Sequence, residues 1–107
     1  MSTINQNTVK NYFCSSLQKE MQENKLILNG HLGAVYSLCV HKGELFSGSD
    51  DNTIRKWNTK GECIGVLEKH TNWVFCICIH DGFLYSGSGD HIILKWNDSG
   101  NPISVLL

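Results

Sequence analysis

The segment LFSGSDDNTIRKWN, residues 45–58, recurs 39 residues later as LYSGSGDHIILKWN, residues 84–97. Each copy contains an apolar run, a Ser-Gly-Ser, a polar stretch with an Asp, and a closing Trp-Asn. The same offset places His31 on His70 without a gap. Self-similarity at a period of about 40 residues indicates a repeat architecture, built either from four-stranded units or from pairs of helices.

The residues around the two copies favour strands. The runs AVYSLCVH (34–41) and WVFCICIH (73–80) are rich in β-branched and aromatic residues, and the tight-turn dipeptides Lys42-Gly43 and Asp81-Gly82 follow them. Glycines at positions 43, 48, 61 and 65 interrupt the 10–12 residues that a helix needs. Each repeat therefore predicts four short antiparallel strands, at 34–41, 44–49, 53–58 and 62–67 and again at 73–80, 83–88, 92–97 and 102–107.

The pattern divides the chain into a tail and a repeat region. Residues 1–24 are polar and rich in Asn, Gln and Ser, and Ser15 followed by Gln18 resembles a helix capping box. This tail is predicted to be either a short helix over 16–23 or a loose segment. Residues 25–107 form the repeat region, with one unit at about 31–67 and a second at about 70–107. The segment KLILN, residues 25–29, is predicted to be a lone outer strand of a preceding unit.

Composition and charge narrow the classes of partner. The 107 residues are enough for one small domain, and the net charge of −1 provides no positive field for nucleic acid or an anionic membrane. The apolar runs are much shorter than the ~20 residues of a membrane helix, and the first residues do not resemble a secretory signal. Five cysteines, an odd number, favour reduced thiols in a cytoplasmic or nuclear protein.

With a His, a Ser-Gly-Ser, a turn Asp and a Trp at these spacings, residues 26–107 resemble the WD-repeat β-propeller family. The resemblance implies an all-β fold, an incomplete propeller of two four-stranded antiparallel blades plus one preceding outer strand. The sequence departs from the family pattern at three kinds of position. These are Lys69 before His70 in place of Gly, Asn58 and Asn97 after the Trp in place of Asp, and Lys56 and Lys95 in place of an aliphatic residue.

The resemblance also implies a structural role for the repeated polar residues. In the family, four such side chains form one hydrogen-bonded chain that locks a turn to a loop. The two predicted sets are His31, Ser47, Asp51 and Trp57, and His70, Ser86, Asp90 and Trp96. The buried indole N–H needs an acceptor. Ser47 and Ser86 are favoured for this role, although strand alternation also places Ser49 and Ser88 on the same face.

Catalysis is the weaker interpretation of the same residues. A nucleophilic Ser needs exposure, a base and an oxyanion hole, whereas these serines lie within predicted strands. The sequence has no Gly-x-Ser-x-Gly elbow, and SGSGD does not match a phosphate-binding loop. Because the set occurs twice, as a structural unit does, no enzymatic activity is predicted.

Cys76, Cys78 and His80 alternate along one strand and raise the question of a metal site. A regular strand spaces such groups about 7 Å apart, which is too far for one tetrahedral ion without a bulge. Buried thiols that pack between blades are the favoured interpretation, and no metal or other cofactor is predicted.

The candidate partner surface centres on Trp73, which stands where the first repeat has Ala34. An aromatic residue beside this loop is either an anchor for a partner or a cover for the edge of the neighbouring blade. The turns between the second and third strands open on the same side and add Asp50, Asn52, Gly89 and His91.

These features predict a protein–protein interaction scaffold of the WD-repeat type. The alternatives are a truncated, non-functional fragment of a larger propeller and, more remotely, a metal-binding or hydrolytic protein that uses the repeated His, Ser, Asp and Cys residues. Other proteins are the expected partners. Self-association through exposed blade faces is also expected, because repeats of this kind bury their apolar faces against neighbours.

Overall fold

The computed structural model describes residues 27–106, and these residues form eight β-strands and no helix. The strands are β1 (Val35–His41), β2 (Glu44–Ser49), β3 (Ile54–Trp57), β4 (Cys63–Leu67), β5 (Val74–His80), β6 (Phe83–Ser88), β7 (Ile93–Trp96) and β8 (Pro102–Leu106). The all-β prediction is confirmed, and each predicted strand is present within one residue of its expected bounds. Pro102 begins the last strand, where a missing N–H is tolerated.

The strands form two four-stranded antiparallel sheets, in the orders β1-β2-β3-β4 and β5-β6-β7-β8. We call these sheets blade one and blade two. Tight two-residue turns connect the first two strands of each blade. Both residues of each turn have positive φ, with values of 53° and 77° at Lys42 and Gly43 and of 49° and 81° at Asp81 and Gly82. Such left-handed backbone matches the twist of the flanking strands.

Strand alternation divides the side chains of each blade between two faces. The leading face carries Leu45, Ser47 and Trp57 in blade one and Leu84, Ser86 and Trp96 in blade two. The trailing face carries Phe46, Ile54 and Leu67 in blade one and Tyr85, Ile93 and Leu106 in blade two.

The main hydrophobic core lies where the trailing face of blade one packs against the leading face of blade two. Its buried members are Phe46, Ile54, Leu67, Val74, Ile77, Leu84, Leu94 and Trp96. The two sheets approach closely at Gly48, where an added Cβ would lie only 2.9 Å from Cγ1 of Val74. A side chain at position 48 would therefore push the blades apart.

Polar contacts also join the blades. The buried hydroxyl of Ser37 accepts the backbone N–H of Ile77 at 3.0 Å, and Lys42 Nζ donates to Asp98 Oδ2 at 2.6 Å. The unusual Lys56 does not leave a buried charge in this interface. Its Nζ forms an ion pair with Glu44 Oε1 at 3.0 Å. The aliphatic part of the Lys56 side chain therefore occupies the position that an aliphatic residue has in the family.

Residues 27–29 of the predicted outer strand at 25–29 have no strand partner, and residues 25 and 26 lie outside the described residues. An outer strand pairs with the third strand of its own sheet, and both third strands, β3 and β7, already pair with β4 and β8, so the assignment of 25–29 to a preceding unit stays a prediction. Leu28 packs against Leu45 and Trp57 on the leading face of blade one. The tail at 1–24 and its helix over 16–23 lie outside the described residues.

The prediction of buried thiols between blades is wrong for two of the cysteines. Cys76 and Cys78 are exposed, since they lie on the side of blade two that faces away from blade one. Cys39, which is the equivalent of Cys78 in blade one, packs against the core. Burial, and to a smaller extent the charge of Cys78, raises the pKa of Cys39 to about 12. Within residues 27–106, no helix has the length and apolar character that crossing a membrane requires.

Candidate functional site

The first predicted polar set forms a continuous chain of hydrogen bonds across blade one. Trp57 Nε1 lies 2.8 Å from Ser47 Oγ, which in turn lies 2.6 Å from His31 Nε2. The other ring nitrogen, His31 Nδ1, is 2.8 Å from Asp51 Oδ2. The chain therefore joins strand β3, strand β2, the loop before β1 and the turn between β2 and β3.

The second set repeats this geometry in blade two. Trp96 Nε1 donates to Ser86 Oγ at 2.8 Å, Ser86 Oγ lies 2.7 Å from His70 Nε2, and His70 Nδ1 lies 2.8 Å from Asp90 Oδ2. Lys69, which replaces the family's Gly before His70, does not displace the imidazole from these contacts. The equality of the two sets follows from equal strand registers, because Leu45 pairs with Trp57 as Leu84 pairs with Trp96.

The carboxylate fixes the direction of each chain. An ionised carboxylate can only accept, so Nδ1–H donates to it, and in a neutral imidazole Nε2 is then an acceptor. The Ser hydroxyl therefore donates to Nε2, and its oxygen accepts the indole N–H. Every polar atom along Trp57, Ser47, His31 and Asp51 thus has a partner, as a buried network requires.

Ser49 has a different role from Ser47, although both lie on one face. Ser49 Oγ accepts the backbone N–H of Asp51 at 3.1 Å and supports the turn. Ser88 Oγ does the same for the N–H of Asp90 at 3.1 Å. The Trp side chains reach back along the strand toward Ser47 and Ser86, so these two serines are the acceptors of the indoles.

The turn carboxylates are held in their charged form. Burial alone would raise the pKa of Asp51, but hydrogen bonds from the Thr53 hydroxyl, the Leu32 N–H, His31 and the Thr53 N–H outweigh it and hold that pKa well below its usual range. Burial opposes ionisation of Asp90 too, and hydrogen bonds from His70, Thr71 N–H and Ile92 N–H lower its pKa below the usual value. Both carboxylates therefore accept hydrogen bonds as anions at neutral pH.

The Ser, His and Asp atoms have the connectivity of a hydrolytic triad, but access to the serines is closed. Ser47 is 3% exposed and Ser86 is 1% exposed, and each hydroxyl is already engaged by an indole N–H. A nucleophile must reach a substrate carbon and direct an oxyanion toward donors. The observed arrangement instead braces a turn against a loop.

The Asn residues that replace the family's Asp support the turn between the third and fourth strands. Asn58 Oδ1 accepts the N–H groups of Lys60 and Glu62, each at 2.9 Å. Asn97 Oδ1 accepts those of Ser99 and Asn101, each at 3.0 Å. An amide oxygen supplies the same acceptor as a carboxylate here, so the substitution preserves the turn.

Trp73 belongs to an aromatic cluster that spans the two blades. Its ring centroid lies 5.8 Å from that of Phe75, at a right angle, and 6.2 Å from that of Tyr36 in blade one. Tyr36 and Phe75 are 6.0 Å apart. Trp73 is nevertheless 47% exposed. The residue thus contacts the neighbouring blade and also presents apolar surface to solvent.

The other predicted surface residues divide between the blades. Gly89 and His91 line one shallow depression with Trp73 and Phe75, and the Gly89 N–H donates to the Trp73 carbonyl at 2.9 Å. Asp50 joins the cluster through Tyr36, whose hydroxyl lies 3.5 Å from Asp50 Oδ2. Asn52 occupies the turn of blade one with a φ of 74° and is not among the residues that line this depression.

Three members of this surface were missed by sequence reasoning, namely Tyr36, Asn72 and Phe75. Tyr36 and Phe75 are equivalent positions under the 39-residue offset, so two aromatics on the first strands were a usable signal. Burial of Tyr36 and the neighbouring charge of Asp50 raise the pKa of its phenol, which therefore remains protonated at neutral pH.

The residues Cys76, Cys78 and His80 do not gather around a common point. Among residues 27–106, no group of three or more His, Cys, Asp or Glu side chains has the geometry to hold a metal ion. His80 Nε2 lies 3.4 Å from the carboxylate of Asp81, and both side chains are largely exposed.

Comparison with known proteins gives short matches of high similarity. Kinesin-related protein 8 of Dictyostelium discoideum is 42% identical over 43 residues, which are 40% of this chain and 2% of that protein. Eukaryotic translation initiation factor 3 subunit I of Aspergillus terreus is 51% identical over 43 residues, which are 37% of this chain and 13% of that protein. The chain therefore spans only a small part of the length of these relatives.

The solved WD40 β-propeller domain of Doa1 is similar over 71% of this chain and 27% of its own, with 25% identity and a TM-score of 0.66. The sequence matches the family of the WD domain, G-beta repeat, over residues 22–58 and 61–97. The second match includes β4, which pairs with blade one, so sequence repeats and structural blades overlap rather than coincide. The matches cover more than half of the chain, which belongs to the WD40 repeat family.

Proposed function

We propose that this chain is a non-catalytic scaffold that binds another protein through the loop side of its two blades. The observation that supports this most strongly is the half-exposed Trp73, which forms a cluster with Tyr36 and Phe75 across the blades. Aromatic residues of this kind are frequent centres of binding energy in protein interfaces. WD40 repeats are commonly used in this way, which adds support by analogy of fold.

The hydrogen-bonded sets would support binding by holding the turns and loops around the aromatic cluster in fixed positions. Asp51 and Asp90 tie the turns after β2 and β6 to the loops that precede β1 and β5. Those turns and loops surround the aromatic cluster. A surface that is already ordered loses little conformational entropy when a partner binds.

The charge beside the cluster favours one kind of contact. The carboxylate of Asp50 is partly exposed and lies next to the Tyr36 hydroxyl. Aromatic faces and a carboxylate together attract a guanidinium or an ammonium group. We therefore expect the partner to place an Arg or Lys side chain against this cluster.

A capture experiment with matched variants tests the proposal. The immobilised chain, Trp73→Ala and Ile103→Ala would be exposed to the same cell extract, and the retained proteins would be quantified. Trp73 is 47% exposed and Ile103 is 48% exposed, so the two substitutions truncate apolar side chains of similar fractional exposure. Partners retained by the wild type and Ile103→Ala but lost with Trp73→Ala support the proposal. Identical retention by both variants contradicts it.

The cysteines support an intracellular setting for this scaffold. Cys39, Cys63, Cys76 and Cys78 are all free thiols in the described part of the chain. Exposed thiols persist in compartments that keep them reduced, such as the cytoplasm and the nucleus. Localisation of a fluorescent fusion would test this, and an exported fusion would contradict it.

A further inference from the structure

Three pairs of equivalent residues differ sharply in burial between the two blades. On the trailing face, Ile54 is 0% exposed and its equivalent Ile93 is 46% exposed, while Leu67 is 5% exposed and Leu106 is 45% exposed. On the leading face, Val74 is 0% exposed and its equivalent Val35 is 49% exposed. The buried member of each pair lies in the interface between blades one and two. The exposed members lie on the two outer faces.

The two outer faces are therefore copies of the two faces that already pack together. The trailing face of blade two repeats the apolar character of its counterpart in blade one, with Tyr85, Ile93 and Leu106 for Phe46, Ile54 and Leu67. The leading face of blade one repeats Val74, Leu84 and Trp96 as Val35, Leu45 and Trp57. Among residues 27–106, no strand of another sheet packs on either outer face. On the leading face of blade one, Leu45 and Trp57 are already buried against Leu28, Leu38 and Val40, so Val35 is the exposed member of the three.

We infer that a second copy of this chain docks the leading face of its blade one on the trailing face of blade two. The interface between the blades within one chain is the template for this contact. Gly87 repeats Gly48, which allows Val74 to approach its sheet, but Cys76 Sγ lies 3.1 Å from the Cβ position of Gly87 and would have to turn aside for Val35 of the second copy. The contact is head-to-tail, because each chain presents one face of each kind.

One difference from the template arises at Leu28. Leu28 is the equivalent of Leu67 and Leu106 under the 39-residue offset, and it already packs against Leu45 and Trp57 of its own chain. Leu106 of the first copy would need this place. Residues 27–29 form no strand and Ile27 is exposed, so, within the described residues, Leu28 is the apolar side chain of this segment that docking must displace. Leu28 is thus a competitor within the chain that weakens docking.

Complementary variants of the full 107-residue chain test the inference by multi-angle light scattering after size exclusion. Ile93→Asp places a charge on the trailing face of blade two only, and Val35→Asp places a charge on the leading face of blade one only. Both positions are about half exposed, so each variant is expected to fold. Each alone should elute at the monomer mass of 12.0 kDa, whereas an equimolar mixture should give a dimer through its one remaining pair of intact faces. The wild type should form larger species that dissociate on dilution.

Two further variants separate docking from general adhesion. Leu32→Asp changes a residue that is 91% exposed and lies on neither face, and it should associate as the wild type does. Leu28→Ser removes the competitor and should increase the share of the larger species at a given concentration. Larger species that persist in both single-face variants would overturn the inference. So would a mixture that remains monomeric, or a wild type that is monomeric because residues 1–26 cover the leading face of blade one.

Discussion

Ser47 accepts the indole N–H of Trp57 at 2.8 Å, and Ser86 holds Trp96 at the same distance. Each indole is almost completely buried, so its N–H has no access to water in place of the serine. The bond links the end of the third strand to the His and Asp that organise the loop side of the blade. We therefore expect the stability and the shape of the candidate surface to depend on one hydrogen-bonded chain per blade.

The indole bond leads to the first prediction. Trp57→Phe should lower the free energy of unfolding by about 1–3 kcal/mol, because it deletes a buried hydrogen bond and leaves the Ser47 oxygen with one partner fewer. Trp96→Phe should have a similar effect. Urea unfolding followed by circular dichroism measures both. Trp73→Phe is the control, since the Trp73 ring is half exposed. Wild-type stability in both network variants would contradict this role.

His31→Ala provides a second test, because it removes the group that connects Ser47 to Asp51. We expect a loss of about 1–3 kcal/mol, since a buried hydroxyl and a carboxylate each lose a partner. Hydrogen exchange at the N–H groups of Leu32 and Thr53, which donate to Asp51, should become faster. Unchanged exchange there, with normal stability, would show that the imidazole is not needed to hold the turn.

The acidic residues predict how stability depends on pH. The folded-state pKa values of Asp51 and Asp90 are lower than the unfolded value of 3.8, so both contributions are fully present above that value. They are lost as pH falls below about 4 toward the folded-state pKa values. Unfolding free energies measured between pH 7 and pH 2 should therefore be flat near neutrality and fall in acid.

A matched pair of variants assigns this acid sensitivity. Asp51→Asn should reduce both the stability at pH 7 and its slope in acid. Asp98, which is exposed and whose pKa is lowered by Lys42, is the control, because a solvent-exposed ion pair contributes little. If Asp98→Asn flattened the acid slope as much as Asp51→Asn, the turn carboxylates would not be its source.

Trp73 predicts a specific fluorescence signature. Trp57 and Trp96 are buried, so quenching by iodide should act on Trp73, which is the exposed member. Removal of the ring in Trp73→Ala should abolish most of the quenching and shift the emission to shorter wavelength. The thermal midpoint should change little. A large loss of stability would mean that the ring serves mainly to cover Tyr36, and not to bind a partner.

In the turns between the second and third strands, exchanging Asn and His should change the free energy of unfolding in opposite directions in the two blades. Asn52 and His91 occupy equivalent positions with the same φ of 74°, a left-handed conformation that Asn tolerates better than His. His91→Asn should raise the unfolding free energy by about 0.5–1 kcal/mol, and Asn52→His should lower it by a similar amount. Opposite signs in denaturant unfolding are the expected result. A change in the same direction for both would contradict backbone strain as the cause.

Most of the secondary structure could be predicted because its causes are local. The tight turns follow from Lys42-Gly43 and Asp81-Gly82, and the strands follow from β-branched runs of regular alternation. Because the chain repeats at an offset of 39 residues, each strand and turn could be predicted from two separate stretches of sequence. The resemblance to WD repeats, rather than local pattern, led to the pairing of His31 with Asp51 and Ser47, which lie 20 and 16 residues away along the chain.

Strand alternation by itself left Ser47 and Ser49 equally placed, since both lie on one face of β2. The tertiary structure distinguishes them, because the pairing of Leu45 with Trp57 directs the indole toward Ser47 and leaves Ser49 to the turn. The same is true of the missed aromatic cluster. Tyr36 and Phe75 are far apart in sequence and meet Trp73 only where β1 and β5 lie side by side.

Burial is the property that the sequence could not determine. Cys39 and Cys78, like Ile54 and Ile93, are equivalent by sequence, yet one member of each pair faces the other blade and its partner faces outward. The sequence determined what each residue can do locally, namely extend, turn or accept a hydrogen bond, because these properties depend on neighbours in the chain. The tertiary structure decided which apolar faces are covered, because burial depends on what packs against a strand from elsewhere in space.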